Sequence, residues 1–504
     1  MRTLEFILIA INVLSLLLSN GKHSKNVWLG TAGANAAVLI LHGIVEGFRY
    51  QMAFSYLFVG LLAIYALIKS STKFCAVKTP RLIKAVTLLF SIVILAISFF
   101  LTYALPVFAL PKPTGSYTVG VKYVHLVDEK RNDPFLDKTP TKRELMVKVY
   151  YPAKKENSKP YARYFRGDQE QIRAFTEFYQ GLPSFVLDHL KLVKTHSKED
   201  LALSDQQAKY PVILFSHGAG ASMEVQAALS EDLASHGYVV VAIDHTYISA
   251  MTAFPDRIVH HSDAATDFSE GDPGEVLTKI MFDDSKFVIN ELGDMNAGRM
   301  ESMFKGKLDM DHIGAIGHSV GGAVAYNLAI NEPRVKAAVN LDGRVFVTPK
   351  LDSVPMAPYL MVANTYNHLQ SIEKRESLLQ KYDDMPQLDQ EITVSMYGSK
   401  EAYEAVYERS VEYARGLADV LKASGNLYAI EGSDHLLFTD LGLIFGIGKV
   451  REVIGIHGSV NPERCLVISS AVVSTFFDRH LGNAKVSLDS LLQSYPELKN
   501  VQLH

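Results

Sequence analysis

Gly317-His318-Ser319-Val320-Gly321-Gly322 is the stretch on which the reading of this chain turns. It contains G-x-S-x-G, a strand-to-helix turn tight enough to lift a serine hydroxyl clear of a sheet, where it serves as a nucleophile. Five positions with three fixed identities recur by chance, so the flanks matter. His312-Ile313-Gly314-Ala315-Ile316 before it reads as a short buried strand. Ala323-Val324-Ala325-Tyr326-Asn327-Leu328-Ala329 after it reads as a helix packed close to that strand. The competing reading is a glycine-rich turn carrying an incidental serine.

Working outward, short apolar runs alternate with helical patterns. Leu145 to Tyr151, Pro211 to Phe215, Val239 to Ile243, Ile313 to Ile316, Ala337 to Leu341, Tyr359 to Val362 and Leu427 to Ile430 are expected strands. Helical segments such as Glu224 to Ser235 and Asp283 to Leu292 lie between them. That alternation predicts an α/β domain, a mostly parallel sheet flanked by helices, with its working residues at the carboxyl ends of strands. Residues 366–424 break the alternation. They are rich in charge and tyrosine and show helical periodicity from Glu401 to Leu421, as a lid insertion or a surface helix pair would.

A serine hydroxyl needs a base, and the base needs a carboxylate to fix its tautomer. On sheets of this kind the chain order is serine, acid, histidine. Asp342 ends the next strand after Ser319, in Ala-Val-Asn-Leu-Asp342-Gly343; Asp352 is the alternative acid, further into a loop. His368, His435, His457, His480 and His504 follow, and His435, directly after the last clear strand, is the choice for the base. The oxyanion needs prepared N–H donors. One is the backbone of Val320. The other comes from Phe215-Ser216-His217-Gly218-Ala219-Gly220, at Ala219 or alternatively Gly218. That Gly-x-Gly lacks the third glycine of a dinucleotide fingerprint, so no cofactor is expected.

Composition narrows the class. The 504 residues carry 50 Lys and Arg against 54 Asp and Glu, a net charge of −4, which gives no reason to expect nucleic acid as a partner. Cys75 and Cys465 are too few for a disulfide framework and have no neighbours at metal-ligand spacing. His260, His261 and Asp263 cluster in sequence, but a serine nucleophile needs no metal, and they read as surface-loop residues.

Hydrophobicity is concentrated in the first 111 residues, and Pro106, Pro111 and Pro113 end it. Residues 4–19, 27–45, 51–69 and 82–105 fit four bilayer-spanning helices, so the expected organisation is a transmembrane module at 1–111 and a catalytic domain at 112–504. Lys22 and Lys25 follow the first helix; Lys69, Lys73, Lys78, Arg81 and Lys84 lie around the link after the third. The other side has Arg2, Arg49 and Lys112. The positive-inside rule then places the two basic loops in the cytoplasm and the catalytic domain outside the cell membrane. The orientation reverses if the first helix does not span. His42 and Glu46, four apart at the end of the second helix, share one face as an interfacial hydrogen-bonded pair or as a functional one.

These segments together resemble the plasma and type II platelet-activating factor acetylhydrolase family of α/β-hydrolases. The stretches that carry the resemblance are Tyr210-Pro-Val-Ile-Leu-Phe-Ser-His-Gly-Ala-Gly-Ala221, Asp232-Leu-Ala-Ser-His-Gly-Tyr238, Ile316-Gly-His-Ser-Val-Gly-Gly-Ala323, Leu341-Asp342-Gly343 and Gly432-Ser-Asp-His435-Leu-Leu-Phe438-Thr-Asp440. They span roughly residues 115–480, and Asp342 follows Ser319 by the family's short spacing of 23 residues. The resemblance implies a Ser319, Asp342 and His435 triad with Ala219 and Val320 as oxyanion donors. Two departures stand out: the membrane module, which looks like that of bacterial membrane-anchored hydrolases, and the longer stretch between Asp342 and His435.

The expected function is a membrane-anchored serine esterase working through an acyl-enzyme on a short-acyl phospholipid or another carboxylic ester. The alternatives are a lipase for long-chain esters, a non-catalytic membrane receptor built on a hydrolase fold, and a module whose helices transport or sense a lipid. The sequence leaves the oligomeric state open.

Overall fold

The computed structural model describes the whole chain except residues 19–22, 71–79, 137–140, 167–168, 181–182, 269–270, 348–355 and 483–486. Asp352, Cys75, Lys22, Lys73 and Lys78 therefore lie outside the described residues. Two compact units divide the chain. One comprises Met1–Phe108, Leu182–Val193 and Ile444–Ile454; the other comprises Ala109–Gly181, Lys194–Leu443 and Gly455–His504.

The larger unit is built on a sheet. Its strands in chain order are β1 (Thr118–Asn132), β2 (Lys142–Ala153), β3 (Lys198–Glu199), β4 (Tyr210–Ser216), β5 (Val239–Asp244), β6 (Met251–Ala253), β7 (Ile258–His260), β8 (Leu308–His318), β9 (Val335–Leu341), β10 (Tyr359–Asn364), β11 (Leu427–Ile430) and β12 (Leu498–Asn500). β6 and β7 form a separate ribbon, and the other ten lie in the order β12-β11-β10-β9-β8-β4-β5-β2-β1-β3. From β5 to β11 the pairing is parallel; β2 joins β5 and β1 antiparallel, and β12 closes the far edge antiparallel to β11. β5 is buried at every position, and its run Val239-Val240-Val241-Ala242-Ile243 is apolar because helices cover both faces of the central sheet. All seven expected strands are present.

The covering helices carry clear end signals. Asp272 caps Pro273–Ala297 through the N–H of Gly274, proline opens the helix, and Gly298 closes it at φ 75°. Lys400–Ser424 is capped by Ser399 and closed by Gly425 at φ 65°. The stretch at 366–424 divides in two. Leu417, Ala418 and Leu421 belong to the main hydrophobic core, whereas Tyr397, Tyr403 and Val406 form a small cluster of their own.

The smaller unit contains α1 (Thr3–Leu18), α2 (Lys25–Val45), α3 (Ala53–Ser70, entered by the turn Tyr50–Met52) and α4 (Arg81–Ala104). Lys25–Val45, Tyr50–Ser70 and Arg81–Ala104 are each long and apolar enough to cross a membrane, while Thr3–Leu18 is shorter. The pattern is inverted relative to a water-soluble bundle. Phe6, Leu14, Leu17, Ile44, Leu67, Leu82 and Leu89 are exposed, whereas Asn12, Asn35, Ser55 and Ser98 are fully buried. Asn12 donates to the Ser55 carbonyl at 3.3 Å, Asn35 to Ser15 Oγ at 2.8 Å and Ser55 to Ser98 Oγ at 2.9 Å. These bonds tie α1 to α3, α2 to α1 and α3 to α4.

The first turn of α1, the last of α2, the first of α3 and the last of α4 meet at one end. Glu46 accepts from the N–H groups of Leu4 and Glu5 at 2.8 and 3.3 Å, supplying a carboxylate to the start of α1. His42 places Nδ1 3.1 Å from Glu46 and Nε2 2.8 Å from the Tyr56 hydroxyl. The buried Glu5 carboxylate meets Arg49 at 2.7 and 2.8 Å, and Arg49 also donates to the Leu105 carbonyl at 2.6 Å. His42 and Glu46 thus belong to a network that joins all four helix ends.

Candidate active site

The central sheet reverses direction of growth at β4. The chain passes from β4 to β5 on one side, then returns to place β8 on the other. Such a switch point leaves a crevice outside the carboxyl ends of the two strands. Two of the motifs read from sequence emerge there: Ser216-His217-Gly218-Ala219 from β4, and the Ser319 turn from β8.

Ser319 has φ 57° and ψ −126°, a backbone conformation that a non-glycine residue adopts only under constraint. The constraint is the abrupt change from β8 into helix Val320–Asn331. Glycine at 321 is required because a Cβ there would collide with the carbonyl of Ser216. Ser319 occupies the helix N-cap, yet its hydroxyl makes no capping bond and remains available. Its side of the turn is pressed by the β4 loop: a Cβ on Gly218 would come within 2.9 Å of the Ser319 Cβ.

β9 and β11 deliver the candidate acid and base. Asp342 follows β9, and its buried carboxylate lies 2.6 Å from His435 Nδ1 in the loop after β11. A carboxylate only accepts, so His435 carries its proton on Nδ1 and keeps the Nε2 lone pair. Burial lowers the basicity of His435, but the hydrogen bond and charge of Asp342 outweigh it and hold the pKa above the ordinary histidine value. Asp342 would be raised by burial, yet His368 and then His435 hold it well below the usual carboxylate range. His318, beside the serine, donates Nε2–H to the His435 carbonyl at 2.8 Å, with the two rings 4.5 Å apart. Burial, then the His435 charge, pushes His318 down to about 3, so it serves as a neutral donor.

Two further partners of Asp342 were not singled out from sequence. His368 Nδ1 lies 2.9 Å from Oδ1, and Asn364 donates its backbone and side-chain N–H groups at 2.7 and 2.6 Å. Asn364 ends β10 and His368 opens the helix that follows it; β10 lies between the strands that deliver Asp342 and His435, and that position was the available signal. His457 places its backbone N–H 3.1 Å from Asp434 Oδ2, and His480 ends helix Pro462–His480; neither bonds to Asp342.

The candidate oxyanion donors stand on the same two loops. Val320 opens its helix, so its N–H has no intrahelical partner. Among the described residues, neither Val320 nor Ala219 spends its N–H on another acceptor. Beneath the β4 loop lies a second Ser-His-Asp chain. Ser216 Oγ is 3.1 Å from His245 Nε2, and His245 Nδ1 is 3.0 Å from Asp284 Oδ2. All three are buried, so no substrate reaches them. Their role is support: the His245 N–H donates to His217 Nε2 at 3.1 Å, and Asp284 is clamped by Arg143 at 2.7 Å.

The chain is similar to known proteins. The family model described as platelet-activating factor acetylhydrolase, isoform II, matches residues 104–272 and 274–497. The platelet-activating factor acetylhydrolase of Cavia porcellus is 23% identical over 399 residues, 74% of this chain and 78% of its own. “Probable 1-alkyl-2-acetylglycerophosphocholine esterase” of Arthroderma benhamiae is 22% identical over 415 residues, 78% of this chain and 93% of its own. Among solved structures, the ferulic acid esterase of Streptomyces cinnamoneus superposes with a TM-score of 0.55 at 25% identity, covering 78% of this chain and 99% of that one. The chain belongs to the platelet-activating factor acetylhydrolase, isoform II, family, and it is a carboxylic ester hydrolase.

Proposed function

We propose that the protein is a membrane-anchored serine esterase that cleaves an acyl ester of a phospholipid through a Ser319–His435–Asp342 triad. The observation that carries this reading is the 2.6 Å pair of Asp342 and His435 beside a strained serine with an unspent hydroxyl. In the first step Ser319 Oγ attacks the ester carbonyl while His435 Nε2 takes its proton. The N–H groups of Ala219 and Val320 receive the negative oxygen. Collapse breaks the bond to the leaving alcohol, which takes the proton from His435. Water then repeats the sequence on the acyl-enzyme, releasing the carboxylic acid and restoring Ser319.

The phospholipid assignment follows from the family and from the phosphocholine ester named for the Arthroderma relative. The anchor follows from α1 to α4, which bury amides and hydroxyls while exposing leucine, isoleucine and phenylalanine, as helices do when the surrounding solvent is lipid. We place the catalytic unit, beginning near residue 112, outside the cell membrane, since the lysines and arginines cluster in the loops at the other helix ends.

The test is hydrolysis of an ester series from acetyl to palmitoyl by the full chain in detergent, with Ser319→Ala as control. The expected result is turnover that falls steeply with acyl length and drops about 10⁴-fold or more in the variant. Rates rising with chain length would make it a lipase. Equal rates in Ser319→Ala would remove the triad.

A further inference from the structure

The helical unit holds a cavity of about 390 Å³ at the end where the helix termini meet. That is the size of a small-molecule site. Its walls come from the α2–α3 connection, the first turn of α3, and Asp188, His189 and Lys191 of the same unit. Phe48, Tyr50 and Tyr56 give it an aromatic wall, and Asp188, His189 and Lys191 line the other side. Tyr50 is 55% exposed, so the cavity opens to its surroundings.

The polar groups on these walls are mostly donors. His189 is 1% exposed and accepts a hydrogen bond at Nδ1 from Gln51 at 3.1 Å. Its proton therefore sits on Nε2, and that buried N–H has no partner among the described residues. Burial, with the Arg49 charge next, pushes His189 down to about 3, so the ring stays neutral and keeps that one donor. Lys191 has no carboxylate partner among the described residues. Arg49 adds a cation whose charge is matched by Glu5. Asp188 is itself partnered.

An unspent ammonium and a buried, unspent N–H at the edge of an aromatic wall call for an anionic acceptor larger than a carboxylate. Where these helices cross a bilayer, their ends fall at the depth of its phosphates, whose oxygens accept from ammonium and N–H donors. We propose that this cavity binds the phosphate of a phospholipid headgroup, with Lys191 and the Nε2–H of His189 as its donors. The site is separate from the ester-cleaving residues and requires only that the helical unit lies in a membrane.

Native mass spectrometry of the delipidated full chain in detergent tests this. The Ser319→Ala background keeps any lipid from being consumed. The probes are dioleoylphosphatidylglycerol, dioleoylglycerol with the same chains and no phosphate, and inorganic phosphate. One phospholipid should bind per chain, dioleoylglycerol should not, and Lys191→Glu should weaken the phospholipid about tenfold or more. His189→Leu should weaken it and His189→Gln should restore part of it. Unchanged turnover of a soluble acetyl ester by Lys191→Glu, made with Ser319 intact, shows that the variant is folded. Binding of inorganic phosphate that Lys191→Glu abolishes, without phospholipid binding, keeps the phosphate site and makes free phosphate its source. Equal binding of the two dioleoyl lipids, or phospholipid binding unchanged in both Lys191→Glu and His189→Leu, overturns the proposal.

Discussion

His368 Nδ1 stands 2.9 Å from Asp342 Oδ1, so one buried carboxylate serves two histidines. Only His435 is also beside the serine turn. In the proposed mechanism His368 acts on the reaction through Asp342, holding it ionised and fixing the plane in which it meets His435. His368→Ala is expected to lower kcat for a small ester about tenfold, the worth of one charge-assisted hydrogen bond. KM should change little, because His368 does not touch the ester. A fall in affinity with kcat preserved would make His368 part of the substrate pocket instead.

In the proposed mechanism His435 must be neutral to accept the Ser319 proton, which sets the pH profile. Burial pulls His435 down, but Asp342 outweighs it and leaves the pKa above the ordinary value of 6.5. kcat/KM should therefore rise with pH and level off only above a midpoint higher than 6.5. Asp342→Asn removes the raising cause. Its acid limb should move to lower pH, together with a loss of about 10⁴-fold in rate. A wild-type midpoint below the ordinary histidine value would contradict the Asp342–His435 pairing.

The parts of this site that could be read from sequence are those tied to a strand end. Ser319, Asp342 and His435 each follow an apolar run that announces itself. His368 also follows such a strand, but it opens a charged stretch that reads as an insertion, and a lone histidine there has no distinguishing pattern. β1 was missed because His125, Asp128, Glu129, Lys130 and Arg131 make its sequence too polar for a sheet interior; it lies near the edge, where one face meets water. The association of Leu182–Val193 and Ile444–Ile454 with the apolar helices depends on contacts far apart in sequence, which no local periodicity encodes. The same holds for Arg143 and Asp284, 141 residues apart.

That buried pair should dominate the stability of the larger unit in acid. Burial would raise Asp284, but Arg143, and then His245, hold it far below the usual carboxylate range. A depressed carboxylate contributes stability that is present above its unfolded pKa of about 3.9 and is lost as pH falls toward its folded one. Asp284→Asn leaves the buried Arg143 charge with Asp133, at 2.9 Å, as its one paired carboxylate among the described residues, beside the Thr246 carbonyl at 2.8 Å. The variant should lose about 3 kcal/mol at neutral pH and show a shallower decline below pH about 4. Thermal unfolding of the full chain in detergent across pH measures both. An unchanged melting temperature at pH 7 would show that the clamp carries no net stability.

Two glycine-to-alanine changes separate the demands of catalysis from those of folding. Gly218 lies on the β4 loop, where a Cβ would approach the Ser319 Cβ to 2.9 Å. Gly218→Ala must push that loop away from the serine, carrying the Ala219 N–H with it. The expected cost is about 100-fold in kcat, the scale of losing one oxyanion donor, with the fold retained. Gly293 sits inside helix Pro273–Ala297, and a Cβ there meets nothing within 4 Å. Gly293→Ala should raise stability by about 1 kcal/mol, since alanine surrenders less backbone freedom in a helix, and should leave kcat unchanged. Comparing kcat and melting temperature for the two variants gives opposite signatures if the β4 loop serves the developing negative charge. Full activity in Gly218→Ala would mean that this loop does not supply the donor.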